Sequence, residues 1–241
     1  KYTDNHKLKK ALLISSVIST CLVLFIFKYL GFISENLVAL CNYLGININL
    51  TVNLILPIGL SFHTFQSLSY VIEVYRGNQK AERNFGIYSL YVMFFPQLVT
   101  GPIERPGNLL RQLHEEKKFD YDNISKGFRL IIFGLFIKMV VADNLGYYVD
   151  MIYEDPSKYN SWDIILGMFF YSFQIYGDFF GYSTIALGSA KLIGFDITDN
   201  FNTPYLSKSI AEFWHRWHIS LSTWFRDYVY FPLGGSRVKF S

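Results

Sequence analysis

The chain has 241 residues, 51% apolar, 19% aromatic and 17% charged, with a net charge of +3, against roughly 25% charged residues in ordinary globular domains. No Asp, Glu, Lys or Arg occurs across residues 36–72, where a soluble fold would need polar helix faces, and 23 Phe with 18 Tyr exclude disorder. Two cysteines, Cys21 and Cys41, are too few to frame a disulfide scaffold, and so small a positive charge gives no argument for nucleic acid, which leaves an all-α, polytopic membrane protein.

A bilayer core takes about 20 mostly apolar residues per helix. The first such stretch is 11–33, interrupted by Lys28, which lies near enough to one end to snorkel. The second, 54–75, holds Pro57 and Gly59 near its start. Residues 85–103 differ. Their strongly apolar core, 88–95, gives way to Pro96, Gln97, Thr100, Gly101 and Pro102, which predicts a re-entrant segment that enters and leaves on one side. Spans follow at 128–149, with Lys138 and Asp143, and at 162–188, with Asp178. A cytoplasmic region with helical motifs then occupies 205–230.

Lysine and arginine enrich cytoplasmic loops. With 85–103 re-entrant and residues 1–10 inside, cytoplasmic segments hold 18 Lys and Arg and external segments hold Lys158 alone. A full crossing there would give 8 inside and 11 outside, against the rule. Irregular backbone at membrane depth must be buried in protein or line a wet cavity, so residues 96–102 are expected inside the bundle. The whole of 1–241 reads as one membrane-embedded region. Lys1 in place of Met, and an end just after a Gly-Gly turn, lead to the expectation of a fragment of a longer polytopic protein. No secretory signal pattern is recognised.

Three stretches carry a family resemblance. Pro57-Ile-Gly-Leu-Ser-Phe-His-Thr-Phe-Gln66 continues into Ser69-Tyr-Val-Ile-Glu-Val-Tyr-Arg-Gly77. Phe95-Pro-Gln-Leu-Val-Thr-Gly-Pro-Ile-Glu-Arg105 is the second. Tyr176-Gly-Asp-Phe-Phe-Gly-Tyr-Ser183 is followed by Asn200-Phe-Asn-Thr-Pro-Tyr205 and by Glu212-Phe-Trp-His-Arg-Trp-His-Ile-Ser-Leu-Ser-Thr-Trp-Phe-Arg-Asp-Tyr228. Together, over roughly 54–237, they resemble the membrane-bound O-acyltransferases, in particular the bacterial alginate O-acetyltransferase branch. The D-alanyl transfer protein of teichoic acid synthesis is a more distant likeness. The resemblance implies a ring of tilted transmembrane helices around a tunnel, in the bacterial cytoplasmic (inner) membrane. It implies transfer of an acetyl group from a cytoplasmic donor, acetyl-CoA or another acyl thioester, toward hydroxyls of an extracytoplasmic polysaccharide. The implied partners are the lipid bilayer, extracytoplasmic acetylation proteins and the polysaccharide acceptor. No bound cofactor and no metal are implied. Of the two histidines the family associates with its site, the first corresponds to His218, and the second is expected on an apolar helix past Ser241.

His218 is the candidate base: an imidazole with an ordinary pKa near 6.5 accepts a hydroxyl proton near neutral pH. The plain alternative is a structural histidine in a polar cytoplasmic helix. His215, three residues earlier, is expected on the same helix face, and two ligands are too few for a metal site. Trp214, Trp217 and Trp224 read as interfacial anchors, with Trp217 also a candidate tunnel wall. Arg226 either meets a phosphate of the donor or is an interfacial charge, and it need not pair with Asp227. Asp178, ionisable within a span, is a functional-site candidate by default, or else an architectural polar group. His63 and Gln66 either line the cavity or bond across helices. Lys138 and Asp143, five apart, are not expected to pair, and Glu104 with Arg105 reads as a surface pair. Residues 111–118 read as a solvated amphipathic connector. No phosphate-binding glycine loop or serine nucleophile elbow is found. The alternative function is a transporter or channel with Asp178, His63 and Lys138 along its path.

Overall fold

A computed structural model of the chain describes residues 5–49, 52, 54, 55, 57–98 and 101–237, and every regular element among them is helical. Leu56 of the expected second span, and Val99 and Thr100 of the expected re-entrant segment, lie outside the described residues. Two compact units are present: Lys1–Met93 with Arg105–Gly107, and Phe94–Glu104 with Asn108–Ser241.

In the N-terminal unit, α1 (His6–Tyr43) begins where the Asn5 side chain accepts the N–H groups of Lys7 and Leu8, an N-cap that satisfies two orphan donors. The helix continues well past the expected end at residue 33. Residues 34–43 contain no Gly or Pro, and the Ser34 hydroxyl bonds back to the Gly31 carbonyl at 2.7 Å. Its 38 residues make about 57 Å of helix, against a hydrocarbon core of ~30 Å. Ser34 is its one buried residue, so its apolar side chains face outward along its length, as on a helix whose solvent is lipid.

α2 (Leu60–Arg76) starts later than expected, because Pro57 lacks an N–H and Gly59 takes a φ of 74°. It stops at Gly77, whose φ of 80° makes a left-handed C-terminal cap. α3 (Phe85–Val92) is capped by Asn84. Gln66, 2% exposed, joins α2 to α3: its amide donates to the Tyr91 carbonyl at 3.2 Å, and the Tyr91 hydroxyl donates to the Gln66 carbonyl at 3.4 Å.

The C-terminal unit is built on a long antiparallel helical hairpin. One arm is α5 (Tyr121–Leu135), capped by Asp120, which passes without a break into a π-helical segment (Phe136–Ala142) and α6 (Asp143–Glu154). The other is α7 (Ser161–Leu192), opened by a capping box of Asn160 and Asp163. The arms meet through small residues. A Cβ on Gly134 would lie 2.7 Å from the Gly181 carbonyl oxygen, and one on Gly188 2.7 Å from that of Gly127. Each helix therefore repeats its glycine after seven residues, two turns, and the backbones touch twice. Gly177 rests on Ala142 and Gly167 on Ile152 further along. On α7 the buried residues are Gly, Ala, Ser and Thr, while Trp162, Ile165, Met168 and Phe169 face outward. This inside-out pattern suits membrane helices, whose association comes from close packing of small residues. Among the described residues, α1 and α7 are the helices long and apolar enough to cross a membrane.

Beyond α7 the chain forms an irregular loop, a 3-10 turn (Pro204–Leu206), α8 (Ile210–Arg216), α9 (Ile219–Phe225) and a π turn (Arg226–Tyr230). α4 (Pro106–Leu113) carries the buried Leu109 and Leu110.

Candidate functional site

The helical region expected at 205–230 is broken between α8 and α9, and the break carries the candidate base. Trp217 is extended, with ψ of 128°, and His218 sits in the left-handed region at φ 43°, ψ 55°. A non-glycine residue there costs about 1–2 kcal/mol, so something must hold it. The loop before α8 does. The Ile219 N–H donates to the Asn200 carbonyl and the Asn202 N–H to the Arg216 carbonyl, each at 2.9 Å. Thr203, the other non-glycine residue with positive φ among those described, faces the same stretch: its hydroxyl accepts from Arg216 Nη1 at 3.2 Å. Arg216 Nη2 is anchored by Glu212 at 2.6 Å.

The turn rests on an aromatic wall. The His218 ring meets Phe179 of α7 edge-on, with centroids 4.6 Å apart. Trp217 lies against Tyr176, Phe201 and Phe213. Half-buried among rings, His218 pays for desolvation on protonation, and its pKa falls to about 4. The imidazole is thus uncharged at neutral pH. Its Nε2 is buried and bonds to no group among the described residues.

A polar network underlies the turn. The Ile103 N–H donates to Ser220 Oγ at 3.0 Å, the Ser220 hydroxyl donates to Asn200 Oδ1 at 2.6 Å, and Asn200 Nδ2 donates to Ser183 Oγ at 3.0 Å. Asn200 is 1% exposed. Alongside, Glu104 is fully buried: it accepts from the Thr198 N–H and from Asn108 Nδ2. It is not half of a surface pair, since the loop carrying Thr198 covers it. Within the amphipathic connector 111–118, Gln112 is buried and exchanges hydrogen bonds with the backbone of Asp196. In the expected re-entrant segment, Gln97 is 2% exposed and neither its amide nitrogen nor its oxygen has a partner among the described residues. A Cβ on Gly101 would lie 2.2 Å from Gln97 Cα, so Gly101 packs directly on the Gln97 backbone.

Several expectations change. His215 and His218 do not share a helix face, because the extended Trp217 and left-handed His218 reverse the chain between them. His215 instead lines a pocket of about 230 Å³ with Trp214, Ile219, Ser222, Thr223 and Arg226. Arg226 Nε pairs with Asp227 at 2.8 Å, neighbours whose long and short side chains curl together in the π turn. Of the three tryptophans read as interfacial anchors, Trp214 is exposed but Trp224 is buried. Lys138 and Asp143 do pair: in a π segment the residue five ahead comes round to the same face, where an α-helix would carry it past. Lys138 Nζ also lies 2.6 Å from Asp178 Oδ1, so Asp178 joins an ion cluster across the hairpin. His63 and Gln66 belong to the N-terminal unit, where His63 Nε2 is buried without a partner among the described residues.

Asn200, Ser220, Ser183, Gln97 and Glu104 had no site role from the sequence reading. The bonds that tie Ser183, Asn200, Ser220 and Glu104 to other elements join residues 17 to 117 apart in sequence, beyond any local spacing rule. The usable signal was polar residues inside the quoted apolar motifs.

Residues 84–241 match the model of the membrane-bound O-acyltransferase family. The chain is 41% identical to the probable alginate O-acetylase of Azotobacter vinelandii, over 92% of its own length and 44% of that protein. It is 33% identical to the peptidoglycan O-acetyltransferase of Helicobacter pylori, over 98% of its length and 49% of the relative. To the teichoic acid D-alanyltransferase of Bacillus subtilis it is 33% identical, over 74% and 46%. The chain thus spans less than half the length of these curated relatives. With a family match over 84–241 that takes in the His218 turn, the Ser183 and Asn200 network and the 96–102 segment, the chain belongs to the membrane-bound O-acyltransferase family.

Proposed function

We propose that this chain is part of an enzyme that moves an acetyl group, or a similar small acyl group, from a cytoplasmic thioester such as acetyl-CoA to hydroxyls of an extracytoplasmic polysaccharide. The relatives' names, all acyl transfers to cell-surface polymers, support the reaction class. The observation that carries the residue assignment is the uncharged, half-buried His218 whose Nε2 has no partner among the described residues.

In the reaction the acceptor hydroxyl oxygen attacks the acyl carbonyl carbon, and its proton passes to His218. The carbon–sulfur bond then breaks, and the departing thiolate takes a proton, giving ester and free thiol. General-base assistance of this kind contributes on the order of 10²–10⁴-fold. Aromatic surroundings keep the ring neutral and shield it from water. Trp217, Gln97 and Gly101 form walls of the passage, and Arg226 lies at the pocket beside His215. The enzyme resides in the bacterial inner membrane and works with extracytoplasmic proteins that complete delivery to the polysaccharide.

The test is His218→Ala in the intact protein, expressed in its own membrane and checked for folding by detergent gel filtration. Labelled acetyl-CoA consumption and ester on the polymer should both drop at least a hundredfold. A folded His218→Ala protein with wild-type transfer overturns the assignment, and wild-type polymer acetylation without thioester turnover overturns the donor.

A further inference from the structure

The turn that holds His218 is strained, and the groups that hold it converge on one side chain. Asn200 touches three positions around the imidazole. Its carbonyl accepts from the N–H of Ile219, the next residue along. Its Oδ1 accepts from Ser220, two residues along. Its Nδ2 reaches Ser183, one helical turn after Phe179, the ring on which His218 rests. Ser220 Oγ accepts the Ile103 N–H and gives its proton to the Asn200 amide oxygen, while the amide nitrogen donates to Ser183, an arrangement that satisfies each polar group of the network.

We infer that Asn200 is a positioning residue that sets the direction of the His218 ring, by clamping the left-handed turn that carries it to the α7 wall it leans on. The inference rests on the reading of His218 as the base. A merely structural asparagine would satisfy buried groups anywhere in the unit. This one is 1% exposed and bonds to both the carrier and the backstop of the same imidazole. Without it the strained φ at His218 keeps one backbone bond from Ile219 but loses its lock to α7, and the ring gains freedom to turn. A small displacement of a catalytic group lowers turnover steeply while leaving substrate affinity in place.

The experiment compares wild type, Asn200→Ala, Ser183→Ala and His218→Ala in the intact enzyme. It measures kcat and KM for acetyl-CoA, together with the rate at which diethyl pyrocarbonate modifies His218, read by mass spectrometry of its peptide. For Asn200→Ala, kcat should fall roughly ten- to a hundredfold with KM within about twofold, and His218 should be modified several-fold faster. Wild-type kcat and unchanged modification in a folded Asn200→Ala protein overturn the inference. Should that variant not fold, Ser183→Ala decides, since it removes only the outer link: a smaller kcat loss with faster modification supports the inference, and wild-type behaviour in both overturns it. If His218→Ala stays active, the proposed reaction fails, whereas faster modification of His218 in Asn200→Ala still supports the clamp.

Discussion

His218 combines strain, partial burial and an unpartnered nitrogen, and each has a measurable consequence. Its pKa, near 6.5 in an unfolded chain, is lowered to about 4 in the fold by desolvation. As pH drops below 6.5 the unfolded chain therefore takes up a proton that the folded ring refuses. The stability held at neutral pH is lost progressively down to about pH 4 and changes no further below it. His218→Leu, which keeps the apolar contact with Phe179 and cannot titrate, should lose less thermal stability between pH 7 and 4.5 than wild type. Equal acid sensitivity of the two would mean that the ring does not titrate as the geometry requires. Gln97 makes the opposite case, a buried amide whose two polar atoms are unpaired among the described residues. A buried unmade hydrogen bond costs about 1–3 kcal/mol. Gln97→Leu, of similar size, should therefore melt at the same temperature or higher in detergent while its acyl transfer falls. Lower stability with full activity would show that the amide serves the fold and not a ligand.

At the scale of elements, the hairpin of α5, α6 and α7 depends on where a side chain has room. Gly134 and Gly181 each present hydrogen to the other's carbonyl, so a Cβ on either meets backbone below 3.0 Å. Gly146, on α6, would place its Cβ 3.7 Å from Gln174, an ordinary contact. Gly181→Ala should thus cost about 1–3 kcal/mol by overpacking, whereas Gly146→Ala should gain about 0.5–1 kcal/mol of helix propensity. Paired denaturation curves in one detergent check both, and equal effects would sink the close-packing account. Of the four apolar stretches expected to span, 162–188 and 11–33 lie within α7 and α1, the helices long and apolar enough to cross a membrane among the described residues, whereas 54–75 and 128–149 do not fall in such helices. The π segment was not, because Phe136–Ala142 reads as ordinary helix by composition, and its wider turn is what brings Asp143 round to Lys138. Nor was the break at His218. Glu212 to Tyr228 has neither Gly nor Pro, and the left-handed turn is imposed by a loop that ends about ten residues earlier.

For the whole molecule, the family was legible in the sequence, since the resemblance is a sum over many residues. The site was legible only as a histidine in a motif. Its clamp, its aromatic backstop and the buried Glu104 come from residues that meet only once α7, the Asp196 loop and the His218 turn are assembled. Sidedness is predicted by the charge count. The segments 101–127 and 189–241 hold five and six Lys and Arg, and the segment 150–161 holds Lys158 alone. Retaining cations on the cytoplasmic face puts the first two inside and the third outside. Single cysteines placed at Glu116, Ser157 and Lys208, with Cys21 and Cys41 replaced by serine, make this measurable with a membrane-impermeant maleimide on whole cells and on inverted vesicles. Ser157, exposed between α6 and α7, should label from outside the cell. Glu116 and Lys208 should label only in inverted vesicles. Labelling of both Glu116 and Lys208 from outside, with Ser157 labelled only in inverted vesicles, would mean that 85–103 crosses the membrane fully. The proposed entry of the thioester from the cytoplasm would then have to be reassigned, because the His218 turn, within 189–241, would lie on the outer side.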